Sequence, residues 1–481
     1  MDLPADSSRR ALAIVTAIAL TAGAYFVSFG LHRVWWLVWI APLPLLLLAP
    51  TLRTWQIAAA ALIARAIGGL GLWNYGLHVG DFSFLFCLGG VLIPAAAFAL
   101  AMVLYGEFDR RGRPWLGVLA FPVTLVATEY LLSLWQGGYL STGYTQLANL
   151  PVLQLAALTG LWGISFAANL FPAGVASLFS EPNPFRVRMA VTLLAFYACV
   201  LSYGMLRLHA STQGSNEVRV GMVEMHGGKT ELTPDEAPTM AVLEKYAAQV
   251  QPLAAQGADF VVLPEMSALI LDSDSAKVDA LFQKTAREAH VQVLLGILHV
   301  TAHGNFNEAR LYSATGEIET MYRKHHPVPT WESKTTPGTE ISILPQPVGT
   351  IGVEICRDMD YPDPARYYGQ QQVGLVLVPA WDQGLDVDAD WHGHLSLVRG
   401  VEDGFTMARN AKNGFLTVSD DRGRILAEQP THRDGAMITM LSTVPVHHVP
   451  TLYQRWGDWF AWLSLAALAG LLAAFWGLAR A

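Results

Sequence analysis

Three residue types suited to chemistry stand where apolar runs end: a thiol, a carboxylate and an amine. Val348-Gly-Thr-Ile-Gly-Val-Glu-Ile-Cys356 is a β-branched run that stops in a cysteine, and the polar turn after it is closed by Pro362. A strand ending this way presents its last side chain at the sheet edge, where a nucleophile is useful. Val261-Val-Leu-Pro-Glu265 puts a carboxylate just beyond another apolar strand, and Tyr322-Arg-Lys324 puts an amine after a third strand-like run. A thiol needs a base to become a thiolate, and Glu265 can serve. Attack on a carbonyl develops negative charge on oxygen, which Lys324 and a backbone N–H after Cys356 can stabilise. Taken singly, Glu265 reads as a solvated loop residue and Lys324 as a surface lysine, while Cys356 stands evenly between inert packing and use. An unpaired thiol in an oxidising compartment is a liability unless it is used.

The elements that must position these groups occupy the later half of the chain. The whole chain has 481 residues, 52% hydrophobic and only 15% charged, and no lysine precedes Lys229. That is enough length for more than one domain and little charge for a soluble protein. A formal net charge of -8 argues against nucleic acid as a partner. Cys87, Cys199 and Cys356 are too few for a disulfide framework, and the first two lie in apolar runs as packing residues.

Ala11–Gly30 follows Arg9-Arg10 and alone would pass for a signal peptide, but further apolar segments follow at once. They are Val34–Pro50, Trp55–Leu77, Phe82–Tyr105, Trp115–Trp135, Val152–Phe179, Met189–Leu208 and, closing the chain, Trp456–Leu478. Each is near the ~20 residues a membrane-spanning helix needs, so about eight spans are expected. Arg9, Arg10, Arg53, Arg110, Arg111, Arg113, Arg186, Arg188 and Arg480 fall on one side of them; Arg33, Arg207 and Arg455 fall on the other. By the positive-inside rule both termini are cytoplasmic and the segment between spans seven and eight lies outside. Trp456, Trp459 and Trp462 then anchor the last span at the outer interface. Arg65, inside an apolar segment, must snorkel or face a polar cavity between helices.

The outer segment alternates strand-like stretches (Val218–Met225, Ala258–Leu263, Val291–Val300, Val348–Ile355, Gly374–Val378) with helix-like ones (Pro234–Gln251, Ala276–His290). That alternation predicts a layered α/β domain. The expected division is a membrane domain over 1–210 with seven spans, a catalytic domain over 211–452, and the eighth span over 453–481. No metal or cofactor is expected, because His325, His326, His392 and His394 lack the spacing of a metal site and read as exposed loop histidines.

Read together, Leu-Pro-Glu265, Arg-Lys324-His and Glu-Ile-Cys356-Arg-Asp358 resemble the three catalytic blocks of the nitrilase, or carbon–nitrogen hydrolase, superfamily, over about Val218 to Met440. The resemblance implies an αββα sandwich with a Glu–Lys–Cys triad. Glu332 matches a second glutamate of that superfamily, and Arg399-Gly-Val-Glu402 resembles a further helical block. A domain of this kind between the seventh and eighth of eight spans resembles the apolipoprotein N-acyltransferase family. Trp35-Trp36, Ala41-Pro42-Leu43, Glu129-Tyr-Leu and Leu158-Thr-Gly-Leu-Trp-Gly-Ile-Ser-Phe166 are similar to that family's membrane helices. The implied chemistry is acyl transfer from a phospholipid to Cys356 as a thioester, then to the α-amine of a lipoprotein. The implied place is the inner membrane, with the catalytic domain on the periplasmic side among membrane lipids.

The chain departs from that family in two places. Cys356-Arg357-Asp358 stands where the family usually reads Cys-Tyr-Glu, and the soluble amidase branch more often has the Asp. Pro379-Ala-Trp381-Asp-Gln-Gly384 keeps only the Ala-Trp pair and a nearby Gly of the family's Asn-Asp-Ala-Trp-Phe-Gly loop. Loops such as Trp381–Trp391 serve either as interface anchors or as covers that admit lipid chains. The alternatives to an acyltransferase are a membrane-anchored amidase using water and a non-catalytic lipid-binding scaffold. Eight spans count against the first and an intact Glu265, Lys324 and Cys356 against the second.

Overall fold

The protein is described by a computed structural model over residues 7–30, 34–180, 183–210, 216–225, 232–382, 392–431 and 437–480. Two compact units divide it: Met1–Ala210 with Trp456–Ala481, and Ser211–Arg455.

In the first unit, apolar runs too long for strands become helices. Among the described residues, seven are long and apolar enough to cross a membrane: Ser8–Ser28, Thr54–His78, Phe84–Arg110, Pro114–Gln136, Leu161–Ser180, Asn183–His209 and Trp459–Gly477. The second of the eight expected spans is not among them. Pro42, Pro44 and Pro50 lie within it, and the chain there forms three short pieces, Trp35–Trp39, Leu43–Leu48 and Ala49–Thr51. Proline removes a helix donor and clashes with the preceding turn, so one continuous helix cannot form. The broken segment still runs back alongside the first helix. Trp35 O accepts from Gln146 Nε2 at 3.0 Å at one end, and Thr51 O accepts from Arg10 Nη2 at 3.1 Å at the other. The span expected at Val152–Phe179 also starts later, at Leu161. Gly160, at φ 65°, separates it from the short helix Ala156–Thr159.

The arginines sort by end. Arg110 Nη1 donates to Ala49 O (2.9 Å) and Leu52 O (2.6 Å), and Arg111 Nη1 to Phe475 O (3.3 Å). Arg10, Arg110 and Arg111 therefore gather at one end, with the close of the last helix. Arg33, expected at the opposite side, lies outside the described residues.

The second unit is built from β1 (Asn216–Met225), β2 (Phe260–Val262), β3 (Leu269–Leu271), β4 (Gln292–Thr301), β5 (Gly304–Tyr312), β6 (Ile318–Arg323), β7 (Ile343–Gln346), β8 (Gly349–Val353), β9 (Leu375–Trp381), β10 (Thr406–Lys412), β11 (Phe415–Ser419), β12 (Ile425–Pro430) and β13 (Met437–Val446). One sheet runs β13-β1-β2-β4-β5-β6, with β3 beside β4; the other runs β12-β11-β10-β9-β8-β7. At the centre of each, neighbours are parallel: β1, β2 and β4 in the first, β8, β9 and β10 in the second.

Burial follows the strand period of two. Val218, Val220 and Met222 of β1, Phe260 and Val262 of β2, Ile351 and Val353 of β8, and Leu375 and Leu377 of β9 share the core between the sheets. The alternate residues Val223, Val261, Val293 and Leu295 pack under helices Glu236–Ala255 and Asp272–Ala289 through Leu243, Tyr246, Val250 and Phe282. Val376 and Val378 do the same under helices Ala365–Gln370 and Leu397–Asp403. Both faces of the central strands are covered, which is why they read as continuous apolar runs. The layers are helix, sheet, sheet, helix, the expected αββα sandwich.

Candidate active site

The candidate residues collect at the carboxyl ends of these strands, where open parallel sheets place their ligand crevices. Glu265 follows β2, Lys324 follows β6, Cys356 follows β8, Trp381 ends β9 and Lys412 ends β10.

Lys324 is the centre. Its Nζ donates to Glu265 Oε1 and to Glu332 Oε2, each at 2.7 Å. Asn307 of β5 spans the same two carboxylates, its Nδ2 donating to Glu265 Oε1 (2.6 Å) and Glu332 Oε1 (2.7 Å). All four side chains are buried. Burial alone would lower the Lys324 ammonium, but the two carboxylates outweigh it and hold it well above its ordinary value. Burial raises Glu265, and Glu332 adds to this; Lys324 opposes them without cancelling them, so the carboxyl ends up raised. In Glu332 the order reverses: burial raises it, but Lys324 and the Val328 N–H win and hold it low. Of two carboxylates on one lysine, Glu265 is the more basic.

Cys356 stands in the left-handed region, at φ 46°, as the first residue of a short 3₁₀ turn to Asp360. A non-glycine residue there is uncommon and such strain clusters at functional sites. The thiol is 5% exposed and its Sγ lies 3.6 Å from Trp381 O. Burial raises it well above its ordinary value and Glu265 adds to that, against the pull of Lys324 and Arg409. The resting group is a neutral thiol that feels the charge of a carboxylate of raised basicity.

The backbone around the site is held by close approaches. A Cβ at Gly296 of β4 would stand 2.4 Å from Pro264 O, so only glycine lets the Glu265 loop lie against that strand. Met266, next to Glu265, is itself at φ 46°.

Asp358 fastens the cysteine turn. It accepts from Tyr322 Oη (2.7 Å) and from the backbone N–H groups of His325 (3.1 Å), His326 (2.8 Å) and Ile355 (3.3 Å). Lys324 and Cys356 are thus tied through one carboxylate. Arg399 braces the same turn, its Nε donating to Met359 O at 3.1 Å while its guanidinium pairs with Glu402.

Residues that sequence reasoning passed over complete the surroundings. Arg409 of β10 grips Asp382 with both terminal nitrogens, at 2.9 and 2.5 Å. Lys412 Nζ lies 4.7 Å from the centre of the Trp381 ring and donates to Met266 O at 2.6 Å. Asn410 Nδ2 reaches Val223 O (2.9 Å) and Val262 O (2.6 Å), so β10 is bonded across to the opposite sheet. The one signal for these residues is a stretch, Thr406–Lys412, with β-length but three polar side chains at its end.

The histidines are not exposed loop residues, as expected, but half-buried. His326 stacks on Tyr361 at 3.9 Å between ring centres, and His325 on Tyr322 at 5.3 Å. His392 bridges Asp382 and Asp360 at 3.2 Å each, and His394 meets Glu428 at 2.7 Å. Carboxylates and ring faces hold these side chains. Of the suggested cover Trp381–Trp391, residues 383–391 lie outside the described residues.

Comparison with known proteins follows the same two units. The carbon–nitrogen hydrolase family model matches residues 219–446. The chain is thus a carbon–nitrogen hydrolase superfamily member through its second unit. The model of the apolipoprotein N-acyltransferase N-terminal domain matches residues 21–174. Apolipoprotein N-acyltransferases are similar over most of the length. The one from Geobacter metallireducens is 26% identical, covering 73% of each chain. That from Nitrosomonas europaea is 24% identical over 91% of this chain and 94% of its own, and that from Gloeobacter violaceus 27% over 97% and 96%. The chain belongs to the apolipoprotein N-acyltransferase family.

Proposed function

We propose that this protein is a membrane-bound N-acyltransferase. It moves an acyl chain from a phospholipid, through a thioester on Cys356, to the N-terminal amine of a lipoprotein. The observation that carries the covalent route is Cys356 in a strained strand-end turn, electrostatically coupled to Glu265 and to a Lys324 held between two carboxylates.

In the first half, Glu265 takes the thiol proton as Sγ attacks the ester carbonyl. Lys324, together with the N–H of Arg357 at the start of the turn, stabilises the oxyanion. Collapse breaks the acyl–oxygen bond, and the departing lysophospholipid oxygen takes the proton from Glu265. In the second half the amine attacks the thioester carbonyl, passes a second oxyanion at Lys324, and expels Cys356 sulfur. Glu265 accepts the amine's proton and returns one to the sulfur. Asp358, Glu332 and Trp381 act by position: they fix the turn, the lysine and the floor under the thiol.

Mass spectrometry of the purified protein given phospholipid tests this. An acyl adduct on Cys356 that disappears on adding an amine acceptor is expected. Turnover without any adduct on Cys356 would overturn the covalent route, and loss of the adduct to water at the same rate with and without the amine would favour the amidase reading.

The multi-pass helices make this a membrane protein, and we place it in the inner membrane with the second unit periplasmic. The gathering of Arg10, Arg110 and Arg111 at one end supports that orientation. A phosphatase fused after Gly214 should be active outside the membrane and one fused after Gly112 inactive; the reverse would overturn the orientation.

A further inference from the structure

Glu265 lies in the segment Leu263-Pro264-Glu265, between the end of β2 and Met266. Both flanks of that segment are fastened by β10, a strand of the opposite sheet. Asn410 Nδ2 donates to Val262 O at 2.6 Å, just before it, and Lys412 Nζ donates to Met266 O at 2.6 Å, just after it. Strand alternation puts residues 410 and 412 on one face of β10, so both reach across to the other sheet. Inside the segment, Leu263 N–H donates to Leu294 O at 2.8 Å and Pro264 O accepts from the Ser267 hydroxyl at 2.9 Å.

Lys412 does more than fasten. Its Nζ also lies 4.7 Å from the centre of the Trp381 ring, and the two residues are register partners in β10 and β9. Trp381 O is the atom 3.6 Å from Cys356 Sγ. One buried ammonium therefore joins the segment that carries Glu265 to the residue beside the thiol.

A neutral side chain is enough for a strut, as Asn410 shows two residues earlier. A buried ammonium is far costlier than a buried amide. Burial lowers Lys412 despite the attraction of Glu224 and Glu265. Glu224, at the end of β1, is buried too, and burial raises its carboxyl despite Lys412 and the Tyr246 hydroxyl at 3.4 Å. The strand thus carries a charge that fastening does not require. Its attraction to Glu265 is mutual, so the ammonium opposes the burial that raises the Glu265 carboxyl.

We infer that Lys412 is a positioning residue for Glu265: it pins the segment that carries the base, lends that segment positive charge, and seats the Trp381 ring beside the thiol. The role rests on the acyl-transfer reading, in which Glu265 takes the thiol proton, and adds to it a residue that touches neither the thiol nor the acyl group.

Single-turnover acylation of Cys356 by phospholipid, followed by mass spectrometry across pH in the full-length protein, tests this. Lys412→Met should slow acylation by up to about 10²-fold, the size expected when a reacting group is slightly misplaced. It should also move the acid limb to higher pH, because the Glu265 carboxyl loses a positive neighbour. Lys324 and Glu332 still face Glu265 in that variant, and Glu224, left without Lys412, acts in the same upward direction. Lys412→Gln keeps a donor for Met266 O without the charge; it should show the same limb shift with a smaller loss of rate. In a Glu265→Gln background, Lys412→Met should cost no more than about twofold further, since a residue that acts through Glu265 then has nothing left to position. An acid limb unmoved in either variant, or the full rate loss repeated in Glu265→Gln, would overturn the inference and leave Lys412 a strut. Failure of both Lys412 variants to fold would do the same. The acyl-transfer reading fails by a different result: no adduct on Cys356 in the parent, or acylation of Glu265→Gln at the parental rate.

Discussion

Arg65 in the membrane unit and Lys324 in the catalytic unit are both buried cations, 8% and 1% exposed. Lys324 is surrounded by permanent partners, Glu265 and Glu332, themselves joined by Asn307. Arg310 and Arg409 in the same unit are likewise paired, with Glu308 and Asp382. Arg65 is stacked on the ring faces of Tyr25 and Phe29, and among the described residues makes no ion pair within contact distance. A charge that must act in one fixed geometry needs partners that hold it there whether or not substrate is present. The difference between the two units is therefore one of a cation fixed by carboxylates against a cation stacked on ring faces, and it can be broken from either side.

The largest effect should come from Cys356→Ser, which should end acyl-adduct formation and turnover while far-ultraviolet circular dichroism stays unchanged. An oxygen nucleophile in this site lacks the thiol's acidity. Near-normal turnover by that variant would remove the covalent mechanism. Next, Glu265→Gln should slow acylation by about 10²–10⁴-fold. Because burial and Glu332 raise the Glu265 carboxyl, acylation should be lost as pH falls through a value above the ordinary carboxylate range. The acid limb should vanish in Glu265→Gln; a limb at an ordinary carboxylate value in the parent would contradict the raised carboxyl.

Lys324→Met should cost on the order of 10²–10³ in both acylation and transfer, since both pass an oxyanion. It also strands two buried carboxylates, a loss of about 3–5 kcal/mol in stability. Transfer from a pre-formed thioester at the parental rate would refute the oxyanion role. Asn307→Leu should act more gently, removing two hydrogen bonds to charged groups at about 1.5–3 kcal/mol each before relaxation. Asn307 normally lowers Glu265, so the acid limb should move to higher pH in this variant. An unmoved limb would make Asn307 a packing residue. The smallest effect should be that of Arg65→Gln on delipidated protein. With two ring contacts and no contact ion pair among the described residues to lose, its melting temperature should move by no more than about 2–4 °C, the equivalent of about 1 kcal/mol. A loss as large as that of Lys324→Met would show that Arg65 is structural.

The sequence by itself determined the two-part architecture, because the features that specify it are local. Long apolar runs exceed what a strand can use, and β1, β2, β4, β8 and β9 are buried on both faces and so read as apolar. Glu265, Lys324 and Cys356 were legible because each ends such a run. The broken second span was readable in its three prolines, though length and hydropathy masked it. What only the tertiary structure decided is which polar residues share a site. Asn307 in β5 and Arg409, Asn410 and Lys412 in β10 are buried polar groups on strands. An apolar-periodicity reading rejects such strands, because the partners that make their burial tolerable lie 25 to 187 residues away. The same holds for the positive φ of Cys356, which belongs to the turn that Asp358 and Arg399 brace rather than to the cysteine. Periodicity records how a segment meets its own layer; the pairing of buried charges is fixed only when distant layers close on one another.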